Sequence, residues 1–140
     1  MRVLVVEDQA MTAFFLVEEL SNAGHEPIGP AATSHEAFRL AASESPDLAL
    51  VDLDLERKGV GLELAHHLAM EKEIDVIFCT GEPELARRAT SGAIGLFRKP
   101  YDPKDIVACI EALEGMRVDG GAAPTFPRSF ELLNPSFRRP

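Results

Sequence analysis

The sequence predicts an α/β fold, a doubly wound parallel sheet of five strands with five helices spread over its two faces, and three observations carry that expectation. Four short apolar runs, VLVV (Val3 to Val6), LALV (Leu48 to Val51), VIFC (Val76 to Cys79) and IGLF (Ile94 to Phe97), do not alternate with polar residues. Strands buried on both faces read this way. Between the runs, apolar residues recur at three- and four-residue intervals, as helices covering a sheet require. Turn and cap residues fall at the joins.

Taken in order, Val3 to Val6 is the first strand and Ala13, Leu16, Leu20 and Ala23 form the first helical stripe, closed by Gly24. A weaker strand is expected around Glu26 to Gly29. Thr33-x-x-Glu36 then reads as a capping box opening a second helix with Ala37, Leu40 and Ala41 on its inner face. Leu48 to Val51 is the third strand, followed by a stripe at Leu64 and Leu68. The strands at Val76 and Ile94 come next, and Pro103 sits early in a last helix carrying Ile106, Ile110 and Leu113. Right-handed crossovers with a flavodoxin-like order, 2-1-3-4-5, put chemistry at the carboxyl ends of strands 1 and 3.

The 140 residues suit one main domain, and 46% hydrophobic content suits an ordinary packed core. From about Arg117 the periodicity stops, so residues 1–116 are expected as the domain and 117–140, with four prolines and an adjacent glycine pair, as a flexible or docking tail. Phe126, Phe130, Leu133 and Phe137 recur there at helical spacing, but Pro127 and Pro135 limit any helix to a turn or two. The tail is net positive, so the formal charge of −9 belongs to the domain. That acidity argues against nucleic acid, whose phosphates need clustered Lys and Arg, and favours a bound cation or cationic partner. No apolar run approaches the ~20 residues that span a bilayer, and VLVV is too short for a signal-peptide core, so a cytoplasmic location away from membranes is expected. Cys79 and Cys109, in strand-like and helix-like runs, read as buried reduced thiols.

The residues just beyond each strand carry the chemistry. Glu7 and Asp8 follow the first, Asp52 ends the third, Thr80 follows the fourth and Lys99 the fifth. Gathered on one edge, the three carboxylates repel, since two unit charges 4 Å apart cost about 4 kcal/mol at an effective dielectric near 20. A cation must be present or an acid stays protonated. Oxygen ligands without His or Cys at ligand spacing favour Mg²⁺. A divalent cation, the Lys99 ammonium and the Thr80 hydroxyl form a cradle for a phosphoryl group, with Asp52 as the nucleophile and an acyl phosphate as product.

These residues, in VLVVED, LALVDLDL, VIFCTG and LFRKPYD, resemble the receiver domains of two-component response regulators over residues 1–116. The resemblance implies that Glu7 and Asp8 hold Mg²⁺, that Asp52 is phosphorylated, that the Thr80 hydroxyl follows the phosphoryl group, and that Lys99 pairs with it. It further implies that Asp54 offers its backbone carbonyl to the metal and that the Lys99–Pro100 peptide is cis. With no output domain after residue 116, it implies a stand-alone receiver. Such a receiver takes its phosphoryl group from a histidine kinase or histidine phosphotransfer protein and signals to a downstream protein, or acts as a phosphate sink. Asp54 and Glu82, just beyond the acceptor and hydroxyl positions, are placed to influence hydrolysis of the acyl phosphate. The family's switch aromatic usually sits three residues before the lysine, where this chain has Leu96, with Phe97 displaced by one and therefore on the opposite face of the strand. FCTG is also similar to the FATGUY subset of receivers, with Cys79 in place of an alanine and Asp75 where that subset has a proline.

Two other function classes are open to the same acids. A Toprim-like metal-dependent nuclease module would use Glu7, Asp52 and Asp54, against which stand the acidic surface and Asp8 where that fold has glycine. A haloacid-dehalogenase-type phosphatase would use Asp52-x-Asp54 but needs a downstream acidic pair absent here. A receiver-like interaction domain that is never phosphorylated would not need the complete set of acceptor, acids, Thr80 and Lys99. His66 and His67, adjacent on a predicted helix, point apart and make no metal pair, and Glu56 to Gly59 reads as a solvated loop beside the site.

Overall fold

The computed structural model describes residues 1–89, 92–119 and 125–134, with the side chains of 117–119 left aside. Strands and helices alternate as β1 (Arg2–Val6), α1 (Ala10–Asn22), β2 (Glu26–Ala31), α2 (Ser34–Glu44), β3 (Leu48–Asp52), α3 (Val60–Met70), β4 (Asp75–Thr80), α4 (Pro83–Arg88), β5 (Gly95–Arg98) and α5 (Pro103–Asp119), and β6 (Phe130–Leu132) follows. The sheet order is β2-β1-β3-β4-β5-β6. The first five strands are parallel, in the predicted 2-1-3-4-5 order, and β6 is antiparallel to β5.

Local sequence explains the elements. In β3 every residue is buried, as expected for a central strand covered on both faces. Thr33 caps α2, its hydroxyl oxygen accepting from the Glu36 N–H at 3.2 Å, a contact worth about 1 kcal/mol. Gly24, with φ +89°, turns the chain from α1 into β2. The Lys99–Pro100 peptide is cis, as is Gly29–Pro30.

The sheet separates two apolar layers. One holds Leu4, Val51, Phe78 and Leu96 with Leu64 and Leu68 of α3. The other holds Val5, Leu50, Ile77 and Phe97 with Leu16 of α1 and Ile106 and Ile110 of α5. Leu96 and Phe97 thus face opposite sides, as the one-place displacement requires. Phe78 and Phe97 are fully buried, and each contributes about 2–3 kcal/mol by leaving water.

Two differences from the sequence reading have physical causes. The sheet has six strands rather than five, because Phe130–Leu132, from the segment expected as tail, adds to the free edge of β5. Three residues between prolines give too short a pattern to read as a strand. The helical spacing of Phe126, Phe130 and Leu133 is instead used by an extended segment whose Phe130 ring packs on Phe97. The rest of the predicted tail, 120–124 and 135–140 with Phe137, lies outside the described residues. The Glu56 to Gly59 loop is also more than solvated surface, since the Glu56 carboxylate accepts from the Ser34 N–H at 3.0 Å and so ties the loop to the start of α2.

Candidate functional site

Parallel strands deliver their carboxyl ends to one edge, so the residues following β1, β3, β4 and β5 meet there. Asp52, the last residue of β3, and Thr80, the last of β4, are buried, as is Glu7 just beyond β1. Asp8 is exposed at the rim. One carboxylate oxygen from each of Glu7, Asp8 and Asp52 can be chosen so that all lie within 4.8 Å of one another, the spacing of a divalent-cation site with hard oxygen ligands.

Lys99 follows β5 and reaches across the sheet end. Its Nζ donates to Asp52 Oδ1 at 2.8 Å and stands 3.5 Å from Asp54 Oδ2 and 3.8 Å from Glu7 Oε1. Asp52 Oδ1 also accepts from the Asp54 N–H at 2.8 Å. The Asp54 carboxylate is exposed and turned toward the Gly81 N–H at 3.5 Å. Alike in the sequence, the two aspartates differ in setting: Asp52 is at the floor and Asp54 at the wall.

Burial dominates the electrostatics. It pushes the Glu7 carboxyl up to about 7, opposed by the Gln9 N–H and reinforced by the hydrogen bond and charge of Asp52, with Lys99 pulling back. Burial would lower the Lys99 ammonium, but the hydrogen bond and charge of Asp52, with Glu7 and Asp54, raise it overall. Near neutral pH the acids thus hold a proton that a divalent cation could replace.

Thr80 Oγ1 accepts from the Glu82 N–H at 2.8 Å, and the Thr80 carbonyl accepts from the Lys99 N–H at 2.8 Å. Glu82 stands exposed at the N-cap of α4. Cys79 and Cys109 are free and buried, and burial raises both thiols, Cys109 to about 12, which removes them as nucleophiles. His67 turns toward Phe38 and Glu71, while His66 is exposed.

Of the residues expected at the site, Glu7, Asp8, Asp52, Asp54 and Lys99 lie together, Thr80 ends the strand beside Asp52, and Glu82 joins it through its backbone N–H to Thr80. Sequence reasoning missed the wall of a groove of about 540 Å³ that starts beside Lys99, lined by Gln9, Thr12, Phe15, Pro100 and Tyr101 among others. Phe15 of this lining is exposed, as are Met11 and Phe14 of the same helix. The available signal was their position off the buried stripe of Ala13, Leu16 and Leu20. Among the described residues no helix is long and apolar enough to cross a membrane.

Fold and site define a doubly wound α/β domain with an acidic pocket at its topological switch point. The response regulator receiver domain model matches residues 3–111, and the chain belongs to that family of two-component signalling domains. It is 32% identical over 113 residues to the transcriptional regulatory protein PdtaR of Mycobacterium tuberculosis, covering 79% of this chain and 55% of PdtaR. It is 34% identical over 111 residues to the phyllosphere-induced regulator PhyR of Methylorubrum extorquens, covering 77% and 41% respectively. The chain thus spans about half the length of the curated relatives it matches. A CheY-like receiver domain protein from Methanospirillum hungatei superposes with a TM-score of 0.74 at 26% identity, over 86% of this chain and 98% of that one. Membership in this family displaces the nuclease and phosphatase alternatives.

Proposed function

We propose that residues 1–116 form a Mg²⁺-dependent phosphoryl acceptor, and that Asp52 takes the phosphoryl group of a phosphohistidine on a histidine kinase or histidine phosphotransfer protein. One observation carries this reading: Asp52 is a buried carboxylate with the Lys99 ammonium, Nζ, at 2.8 Å and two further acids within 4.8 Å. Mg²⁺ fits the donor set of Glu7, Asp8 and Asp52, all oxygen and open on the Asp8 side, with the Asp54 backbone carbonyl as a further ligand. When bound, it supplies positive charge facing the phosphoryl oxygens.

The chain's own groups do the rest. Lys99 Nζ and the Asp54 N–H hold Asp52 Oδ1, which leaves the other carboxylate oxygen to attack phosphorus. An O–P bond forms as the N–P bond breaks, and the imidazole leaves with that electron pair. Lys99 then meets the new charge on the phosphoryl oxygens, and Thr80 donates its hydroxyl hydrogen to one of them. Asp54 and Glu82, at the pocket wall, influence how water reaches the acyl phosphate. The groove between α1 and Tyr101, lined by Phe15, supports docking of the phosphodonor, because it opens beside Lys99. The signal leaves by protein–protein recognition in the cytoplasm, or the domain drains phosphate from its donor.

Incubation with acetyl phosphate and Mg²⁺ is expected to add about 80 Da, one phosphoryl group, to the wild-type chain and nothing to Asp52→Asn. Equal labelling of the two would overturn the assignment. Asp54→Ala and Glu82→Ala are expected to change the half-life of the labelled form. If neither does, their role in hydrolysis fails.

A further inference from the structure

The outer edge of β5 is occupied, and by little. Its ladder to β6 has three antiparallel pairs, Gly95 with Leu132, Leu96 with Glu131 and Phe97 with Phe130. Beyond them, the Leu133 and Asn134 N–H groups both donate to the Ile94 carbonyl, at 2.8 and 3.1 Å. Of the described residues 125–134 only Phe130 is buried. The ion pair that anchors the strap, Arg87 with Glu131, is solvent-exposed, and such pairs hold weakly.

Two features make this edge a shaped receptacle. A β-carbon on Gly95 would stand 2.3 Å from Phe130 Cζ and 2.4 Å from the Glu131 carbonyl oxygen, so the missing side chain is what admits the ring. The ring then rests on Phe97 and Phe126, with centroids 5.3 and 4.8 Å away. One residue on, Arg87 of α4 takes both oxygens of Glu131, Nε to Oε2 at 2.6 Å and Nη2 to Oε1 at 2.7 Å. This fork, with the charge of Arg98 nearby, holds the Glu131 carboxyl below its ordinary range. Arg87 Nη1 also meets Glu84 Oε1 at 2.5 Å on its own helix, so apart from Glu131 the edge sets Arg87 and Arg98 against that one acid.

We propose that the outer edge of β5 is a strand-docking site for an extended aromatic–acidic–aliphatic segment of a partner protein, and that Phe130–Glu131–Leu132 fills it in cis until the strap lifts. Backbone groups of β5 supply affinity, while the Gly95 seat and the Arg87 fork supply specificity. Charge decides between occupants: the Arg87 fork selects an acidic strand, and two copies of a chain of net charge −9 repel one another, which favours a different protein. The site is independent of phosphotransfer to Asp52, and its test needs no phosphodonor, so either reading can fail alone.

The test uses the full chain with Glu131→Arg, which sets like charge against Arg87, and with Phe130→Ala, which empties the seat. Arg87→Ala is a third variant that leaves the ring contacts intact. Deuterium exchange at the β5 amides reports lifting of the strap. The probe is a fluorescent peptide of residues 125–134, followed by anisotropy. Lifted variants that keep Arg87 are expected to bind it about tenfold or more tightly than wild type, and to bind a peptide carrying F130A or E131R about tenfold less well. Arg87→Ala is expected to lift the strap yet discriminate poorly between the native and E131R peptides. The proposal is overturned if a lifted variant binds no peptide, or if native and substituted peptides bind equally to a variant that keeps Arg87. It is overturned too if lifted chains dimerise, or if no substitution raises exchange in β5, which makes β6 a permanent strand.

Discussion

The two ends of the parallel sheet carry similar numbers of charges and use them differently. At the amino ends Arg2 stands 3.0 Å from both Glu26 and Glu44, and its backbone N–H donates to Asp47 at 2.8 Å. The Met1 ammonium lies 3.3 Å from Glu114. Every acid side chain in those contacts is open to solvent. At the carboxyl ends, Glu7, Asp52 and Asp54 surround Lys99 with Asp8 at the rim, and two of the four acids are buried. Both ends carry more acids than cations, but at the carboxyl ends the excess is partly buried around the Lys99 ammonium, and that buried excess marks where chemistry is done.

The contrast can be broken by experiment, and the largest effect belongs to the acceptor. Asp52→Asn is expected to abolish phosphoryl labelling entirely and most of the stabilisation by Mg²⁺, read by intact mass and thermal melting. Residual labelling above a tenth of wild type would mean another acid shares the role. Lys99→Ala removes the one ammonium from the crowded end and leaves Asp52 and Glu7 uncompensated. Urea unfolding without Mg²⁺ should then show a loss of about 2 kcal/mol, partly restored by millimolar Mg²⁺. A loss below about 0.5 kcal/mol would show that the acids protonate instead.

Wild-type protein in millimolar Mg²⁺ is expected to melt a few degrees higher, by mass action on the folded form, and Asp8→Asn to respond less. An equal response would place the cation elsewhere. Smallest is Arg2→Ala at the solvent-exposed amino end, expected to cost less than about 1 kcal/mol and less still at high salt. A larger, salt-insensitive loss would erase the distinction between the two ends.

The legible parts of this molecule are those where residue type alone implies environment. β1, β3, β4 and β5 were readable because uninterrupted apolar runs have no other stable use in a domain of this size. The site was readable because strand ends are positions, so Glu7, Asp52, Thr80 and Lys99 could be placed on one edge from topology. β2 was harder, since Pro27, Gly29 and Pro30 dilute its pattern. β6 was invisible because Phe130 gains its partner, the seat over Gly95, only after the sheet has formed. The groove beside Lys99 escaped for a related reason: exposed Phe15 looks like helix surface until the loop bearing Tyr101 stands opposite.

The direction of β6 has a practical consequence. Because it runs against β5, it begins at the Asp52 end of the sheet, where Ser129 bonds Asp105 at 2.9 Å, and finishes beside Ile94 at the opposite pole. A reporter attached at Asn134 is therefore displaced along the sheet by about 13 Å from the level of Phe130, four residues at ~3.3 Å each. Labelled chains can then be loaded with phosphate and watched for strap movement in one cuvette.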